Sequence, residues 1–265
     1  MIEPDFNLNN RKIAITRAAD SISDVKNLFV RKGAKIFEFP SLIIQYPEDL
    51  RPLDKAISGI NSFHWLIFSS SNGIKFMNKR LVSNGSSLKE FAKNIKVAVV
   101  GVKTSQSLNK LGIEADFVPS DFVADSLLEE FPISPKDLRI LIPRVQTGGR
   151  NIIAEKLINS GALVTQVAAY ESICPDSIPQ ETLDTFKNKT MDAIIFSSGK
   201  TVDNSAYLLN KYLDEDYKSL LSEVKLFSIG PQTSLACKKQ FGRVDGEANE
   251  YTFEGLLDLV LKYFN

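Results

Sequence analysis

Short apolar runs punctuate the chain: Ile13-Ala14-Ile15, Trp65 to Phe68, Val97 to Val100, Ile140-Leu141-Ile142, Ala193 to Phe196 and Leu226 to Ile229. None shows the clean apolar-polar alternation of a strand with one wet face, so these strands belong to sheets covered on both sides. Each run passes through a polar loop into a helix-like stretch. Strand, helix, strand is the unit of a parallel sheet. The pattern predicts an α/β fold, doubly wound.

The same pattern occurs twice. Sliding the sequence on itself by about 128 residues aligns three segments in order. Arg11 to Arg17 parallels Leu138 to Arg144, each a strand ending in arginine; each continues into a helix that stops at a glycine, Gly33 or Gly161, before a second strand. Trp65 to Ser70 parallels Ala193 to Ser198, and Val97 to Ser105 parallels Leu226 to Ser234 with Gly101 and Thr104 answering Gly230 and Thr233. A further glycine follows in each copy, Gly112 or Gly242, then an aromatic-led helix from Phe122 or Tyr251. Internal duplication into two similar domains is the expectation. The division can fall near Ser134-Pro135, or the copies can interleave through proline-marked crossings at Phe39 to Pro47 and Tyr170 to Pro179.

Composition narrows the partners. The chain has 265 residues, 43% hydrophobic and 24% charged, with Lys plus Arg and Asp plus Glu both at 32. It therefore lacks the overall basic field that drives binding to nucleic acid. The start, Met1 to Asn10, is polar and acidic where an export signal needs a basic start and an apolar run, and no apolar stretch approaches the roughly 20 residues of a membrane span. A cytoplasmic protein is expected. Cys174 and Cys237 are too far apart to suggest a paired-thiol metal site or a disulfide scaffold, and they read as ordinary thiols.

In open parallel sheets, ligands gather where strand carboxyl ends meet helix amino termini. The matched loops would all lie there: Thr16 and Arg17; Ser69, Ser70, Ser71 and Asn72; Gly101, Lys103 and Thr104; Arg144 to Arg150; Ser197, Ser198, Gly199 and Lys200; and Gly230, Pro231 and Thr233. Free N–H groups at helix starts, hydroxyls and scattered cations suit an anionic ligand. Taken singly, most of these hydroxyls would serve as helix caps. Recurrence at equivalent junctions of both copies, beside Arg17, Lys103, Arg144, Arg150 and Lys200, favours a binding role.

Other chemistries find less support. Ser198-Gly199-Lys200-Thr201 has the tail of a phosphate-binding loop, but Ile194 stands where its opening glycine belongs. Gly148-Gly149-Arg150 lacks the spaced three-glycine pattern of a dinucleotide site. The sole histidine, His64, has no metal-ligand companion and sits poorly for a serine nucleophile. An enzyme built from these residues would rely on positioning and charge complementarity, with Tyr170 as the candidate acid. A tyrosine packed on a strand end is the bland alternative.

In Thr16-Arg17, Phe68 to Gly73, Val100 to Thr104, Ala169-Tyr170-Glu171 and Ile229 to Thr233, in this order and spacing, the chain resembles the uroporphyrinogen-III synthases. The resemblance runs through nearly the whole sequence. It departs at Ser198-Gly199-Lys200, where the family often has serine-proline-serine. It implies two α/β domains with the interleaved division: residues 1–39 and 176–265 in one, 47–168 in the other, and linker strands 40–46 and 169–175. It implies conversion of linear hydroxymethylbilane, a polycarboxylate, into uroporphyrinogen III, with inversion of ring D, loss of water and no cofactor. Tyr170 would help the hydroxyl depart, while Ser70, Thr104, Ser198 and Thr233 with neighbouring amides hold carboxylates. A monomer is expected, with possible contact to the preceding pathway enzyme. A non-catalytic two-lobed binding or sensor module for an anionic small molecule is the competing expectation.

Overall fold

The structure is a computed structural model that describes residues 6–18, 22–120, 124–148, 151–213 and 217–265. In chain order the first half holds β1 (Lys12–Ile15), α1 (Ile22–Val30), β2 (Lys35–Glu38), β3 (Ile43–Gln45), α2 (Arg51–Ser58), β4 (Trp65–Phe68), α3 (Ser71–Ser83), α4 (Leu88–Phe91), β5 (Lys96–Val99), α5 (Val102–Asn109) and α6 (Ala124–Glu129). The second half holds β6 (Arg139–Val145), α7 (Ile152–Asn159), β7 (Leu163–Ile173), α8 (Gln180–Lys187), β8 (Ala193–Phe196), α9 (Gly199–Leu213), α10 (Tyr217–Leu220), β9 (Lys225–Ser228), α11 (Pro231–Phe241), β10 (Gly246–Glu247) and α12 (Phe253–Phe264). Gly33 and Gly161, the expected helix stops, both take positive φ, +79° and +88°, which an L side chain rarely adopts. The helix expected to open at Tyr251 starts two residues later, because Thr252 caps it by accepting from the Gly255 N–H. Its counterpart at Phe122 lies outside the described residues.

The chain divides into two compact units, Met1–Ile43 with Ile173–Asn265, and Ile44–Ser172. The sheet of the first has the order β10-β9-β8-β1-β2, all parallel. That of the second has the order β3-β7-β6-β4-β5, with β7, β6, β4 and β5 parallel to one another. Apart from β3, the second order repeats the first under the sequence offset: β5, β4, β6 and β7 stand where β9, β8, β1 and β2 stand. Even the short edge strand β10 has an echo, a bridge between Ala98 and Phe117 beside β5. A simple cut near Ser134-Pro135 does not describe this chain, since it would separate β1 from its partner β8.

The absence of alternation in the strands is explained by the cores. In the contiguous unit Leu66, Phe68, Val97, Val99 and Leu141 pack on one face, while Trp65, Ile67, Ala98, Ile140 and Ile142 pack on the other. In the discontinuous unit Ala14, Ile194, Phe196 and Leu226 face one way, and Ile13, Ile15, Ala193, Ile195 and Phe227 the other. Burying each large apolar side chain stabilises by about 1.5–3 kcal/mol, so a polar residue on either face of these strands would be costly. Polar residues therefore accumulate at the strand ends.

Candidate functional site

In the contiguous unit the strand ends carry a hydroxyl pair. Ser70, extended at φ −156°, caps α3 by accepting from the Gly73 N–H at 3.0 Å. The Tyr170 hydroxyl lies 3.0 Å from the same Oγ. Its ring stacks on Phe76 of α3, with centroids 5.9 Å apart and planes at 26°, and the residue is 8% exposed. A bulge aims it there. Arg144 pairs with Ala168 but Val145 pairs with Tyr170, so Ala169 is the extra residue on β7. Val167, Ala169 and Tyr170 consequently all join the core on the α3 side, where strict alternation would have turned Tyr170 to the opposite face.

Around this pair, Ser71 donates to the Lys103 carbonyl at 3.0 Å and ties the start of α3 to that of α5. Gly101 precedes α5 at φ +102°, a conformation suited to glycine, and its carbonyl accepts from the Thr104 N–H at 3.1 Å. Ser69 and Lys103 are exposed, Asn72 is half-buried, and Thr104 is only 4% exposed. Gly73 must be small, because a Cβ there would sit 3.1 Å from the Pro143 carbonyl oxygen.

At the next junction Arg144 is held by three acceptors: Gln166 Oε1 at 2.8 Å, the Gly148 carbonyl at 2.8 Å and the Val145 carbonyl at 3.3 Å. It lines an open groove of about 430 Å³ together with Gln146, Asn151 and Gln166. Arg150 lies outside the described residues.

The discontinuous unit gathers the rest. The Thr16 hydroxyl is buried and donates to the Ile195 carbonyl at 2.9 Å, so it serves the sheet rather than facing solvent. The Arg17 guanidinium lies 4.8 Å over the Phe253 ring. Ser198 accepts from the Thr201 N–H at 3.3 Å at the start of α9, with Ser197 and Gly199 half-buried and Lys200 exposed. Gly230 and Pro231 open α11, and Thr233 is 4% exposed with its N–H on the Gly230 carbonyl. The near-complete burial of Thr104 and Thr233 limits what their hydroxyls can offer a ligand; the helix-start N–H groups beside them are the better donors.

Beyond the residues expected from the sequence, the structure adds Asn151 and Gln166 in the groove, Phe76 under Tyr170, and Tyr251, whose exposed ring lies against Gly230. A glutamine inside a strand was the available signal for Gln166. His64 accepts from the Arg139 N–H at 3.1 Å and stands just before β4, whose other end leads into Ser69. Burial pushes the Cys174 thiol up and drives Cys237 up to about 12, which keeps both protonated near neutrality. Among the described residues, no three or more His, Cys, Asp or Glu side chains are grouped to hold a metal ion, and no helix is long and apolar enough to cross a membrane.

Two doubly wound domains on an interleaved chain, with polar strand ends, define a two-domain α/β protein of the kind that acts on small molecules. The family model for uroporphyrinogen-III synthase HemD matches residues 23–258. The chain belongs to the uroporphyrinogen-III synthase family, a family of enzymes of tetrapyrrole biosynthesis. It is 41% identical over 250 residues to the uroporphyrinogen-III synthase of Synechococcus elongatus, covering 94% of each chain. Its fold resembles the crystal structures of uroporphyrinogen-III synthetase from Helicobacter pylori (TM-score 0.63, 18% identity, 96% and 99% of the two chains) and a mutant synthase from Thermus thermophilus (TM-score 0.60, 14% identity, 96% and 98%).

Proposed function

We propose that this chain closes hydroxymethylbilane to uroporphyrinogen III with inversion of ring D. The observation that carries this reading is the family match along residues 23–258, and the strand-end geometry supplies the chemistry. Tyr170 donates a proton to the departing hydroxyl; the carbon–oxygen bond breaks, water leaves, and an electrophilic azafulvene remains. Ring D attacks through its substituted carbon, and the spiro intermediate fragments, recloses and loses a proton. Ser70, 3.0 Å away, can donate to the phenol oxygen as it gives up its proton.

Carboxylates of the substrate are held by N–H groups at the starts of α3, α5, α9 and α11, and by Arg17, Lys103, Arg144, Arg150 and Lys200. The exposed or half-buried Ser69, Ser71, Asn72, Ser197, Ser198 and Gly199 complete these loops with Gly101, Gly230 and Pro231. Because hydroxymethylbilane closes by itself to the uninverted isomer, holding the substrate folded is the main task. No cofactor is needed. The reading includes domains 1–39 with 176–265 and 47–168, linkers 40–46 and 169–175, an origin by duplication, and a cytoplasmic monomer that can meet the preceding pathway enzyme. The matched strand orders support the duplication.

Enzymatically generated hydroxymethylbilane, followed by separation of the product isomers, tests the proposal. Uroporphyrinogen III formed at a rate proportional to the protein is expected. Isomer I alone, at the uncatalysed rate, would overturn it and favour a binding or sensor module.

A further inference from the structure

The groove at β6 and β7 surrounds Arg144, one of the cations assigned above to the substrate's carboxylates, with neutral side chains that have no role so far. Arg144 supplies a permanent positive charge, Gln146, Asn151 and Gln166 supply amides, and among the described residues no acidic side chain lines the groove. Asn151 stands at the N-cap of α7 yet makes no side-chain cap bond, which leaves its amide to the groove. A guanidinium has five N–H donors. Here Nε donates to the Val145 carbonyl, Nη1 to Gln166 and Nη2 to the Gly148 carbonyl. One N–H remains on each terminal nitrogen, which matches the two oxygens of a carboxylate. All three acceptors are uncharged, so the grip orients the cation without cancelling its charge. The Gln166 backbone lies in the middle of β7, in register with Ile142. Ile142 packs in the core on the face opposite to that of Tyr170, which separates this cation from the hydroxyl pair.

We propose that this groove is a carboxylate subsite in which Gln166 is a positioning residue for Arg144. The proposal rests on the reading that the substrate is a polycarboxylate. Its role is to anchor one acidic arm of the substrate away from the reacting atoms, so it acts on binding and leaves the chemical step alone. A neutral side chain at position 166 is required, because a glutamate would occupy the guanidinium and repel the arm.

Steady-state kinetics on hydroxymethylbilane with Arg144→Gln, Gln166→Leu and Gln166→Glu test this. Gln166→Leu is expected to raise KM by roughly three- to tenfold, the worth of one hydrogen bond, with kcat within about twofold. Arg144→Gln and Gln166→Glu should raise KM further, and added salt should narrow the gap between Gln166→Glu and the wild type by weakening the ion pair. Thermal midpoints near that of the wild type accompany this outcome. Unchanged KM in all three variants, or kcat and thermal midpoint falling together with KM unmoved, would overturn the subsite. If the wild type yields only isomer I, the function reading fails, and succinate becomes the probe for the groove. Succinate should shift the Arg144 Nε–H resonance in the wild type and shift it less in Gln166→Leu; no shift in the wild type would sink the subsite independently of turnover.

Discussion

Tyr170 and Ser70 share one hydrogen bond but have separable roles. Tyr170→Phe keeps the ring on Phe76 and removes only the hydroxyl. The variant is expected to lose about a hundredfold or more in kcat, the usual worth of a general acid, with its thermal midpoint little changed; wild-type turnover would dismiss the acid. Ser70→Ala also removes the cap of α3, at a cost of about 1 kcal/mol, so its thermal midpoint should fall along with its rate. The thiols behave in the opposite way. Since burial drives Cys237 up to about 12, a thiol reagent at mildly alkaline pH should leave it unmodified in the folded protein and label it promptly in denaturant. Much of this site was legible because strand ends in a parallel sheet attract polar residues. The orientation of Tyr170 was not, since it depends on a one-residue bulge that no local pattern announces. Thr16 looked available in the sequence but is consumed by the Ile195 carbonyl, a partner 179 positions away.

Helices on one face of a sheet are clasped as well as packed. Arg80 of α3 donates from Nε and Nη2 to both oxygens of Asp54 on α2, each at 2.6 Å. Those hydrogen bonds hold the Asp54 carboxyl below its ordinary range. A carboxyl depressed in the folded state stabilises fully above its unfolded pKa, near 3.9, and loses that contribution as pH falls through the folded value. Replacing Asp54 with Asn should therefore lower the thermal midpoint most at neutral pH, with the gap from wild type closing below about pH 4. A gap independent of pH would mean that the clasp works through shape alone. Strands and helices were readable from apolar runs and glycine stops. The clasp was not, because Asp54 and Arg80 are two charges among many in sequence and only the packing of α2 beside α3 pairs them.

Each sheet draws strands from both halves of the sequence. β1 and β2 need β8, and β4 and β5 need β6. Separate expression of residues 1–134 and 135–265 should therefore give two fragments without cooperative unfolding transitions, while co-expression restores one; two independently stable fragments would contradict the pairing. The repeat was visible in the sequence because it preserves residue types at a fixed offset. The exchange of partners between repeats was left open by the apolar pattern and pointed to only by the family resemblance, because similar repeats can pair within or between themselves with the same local pattern.

The two units also differ in when the ribosome makes them possible. Ile44–Ser172 is an unbroken segment, so its sheet can close while the remaining third of the nascent chain is still being translated. Strands β1 and β2, synthesised first, must wait for residues beyond Ile173 to emerge. Until then their apolar edges are candidates for chaperone capture, and the oldest part of the polypeptide is among the last to settle.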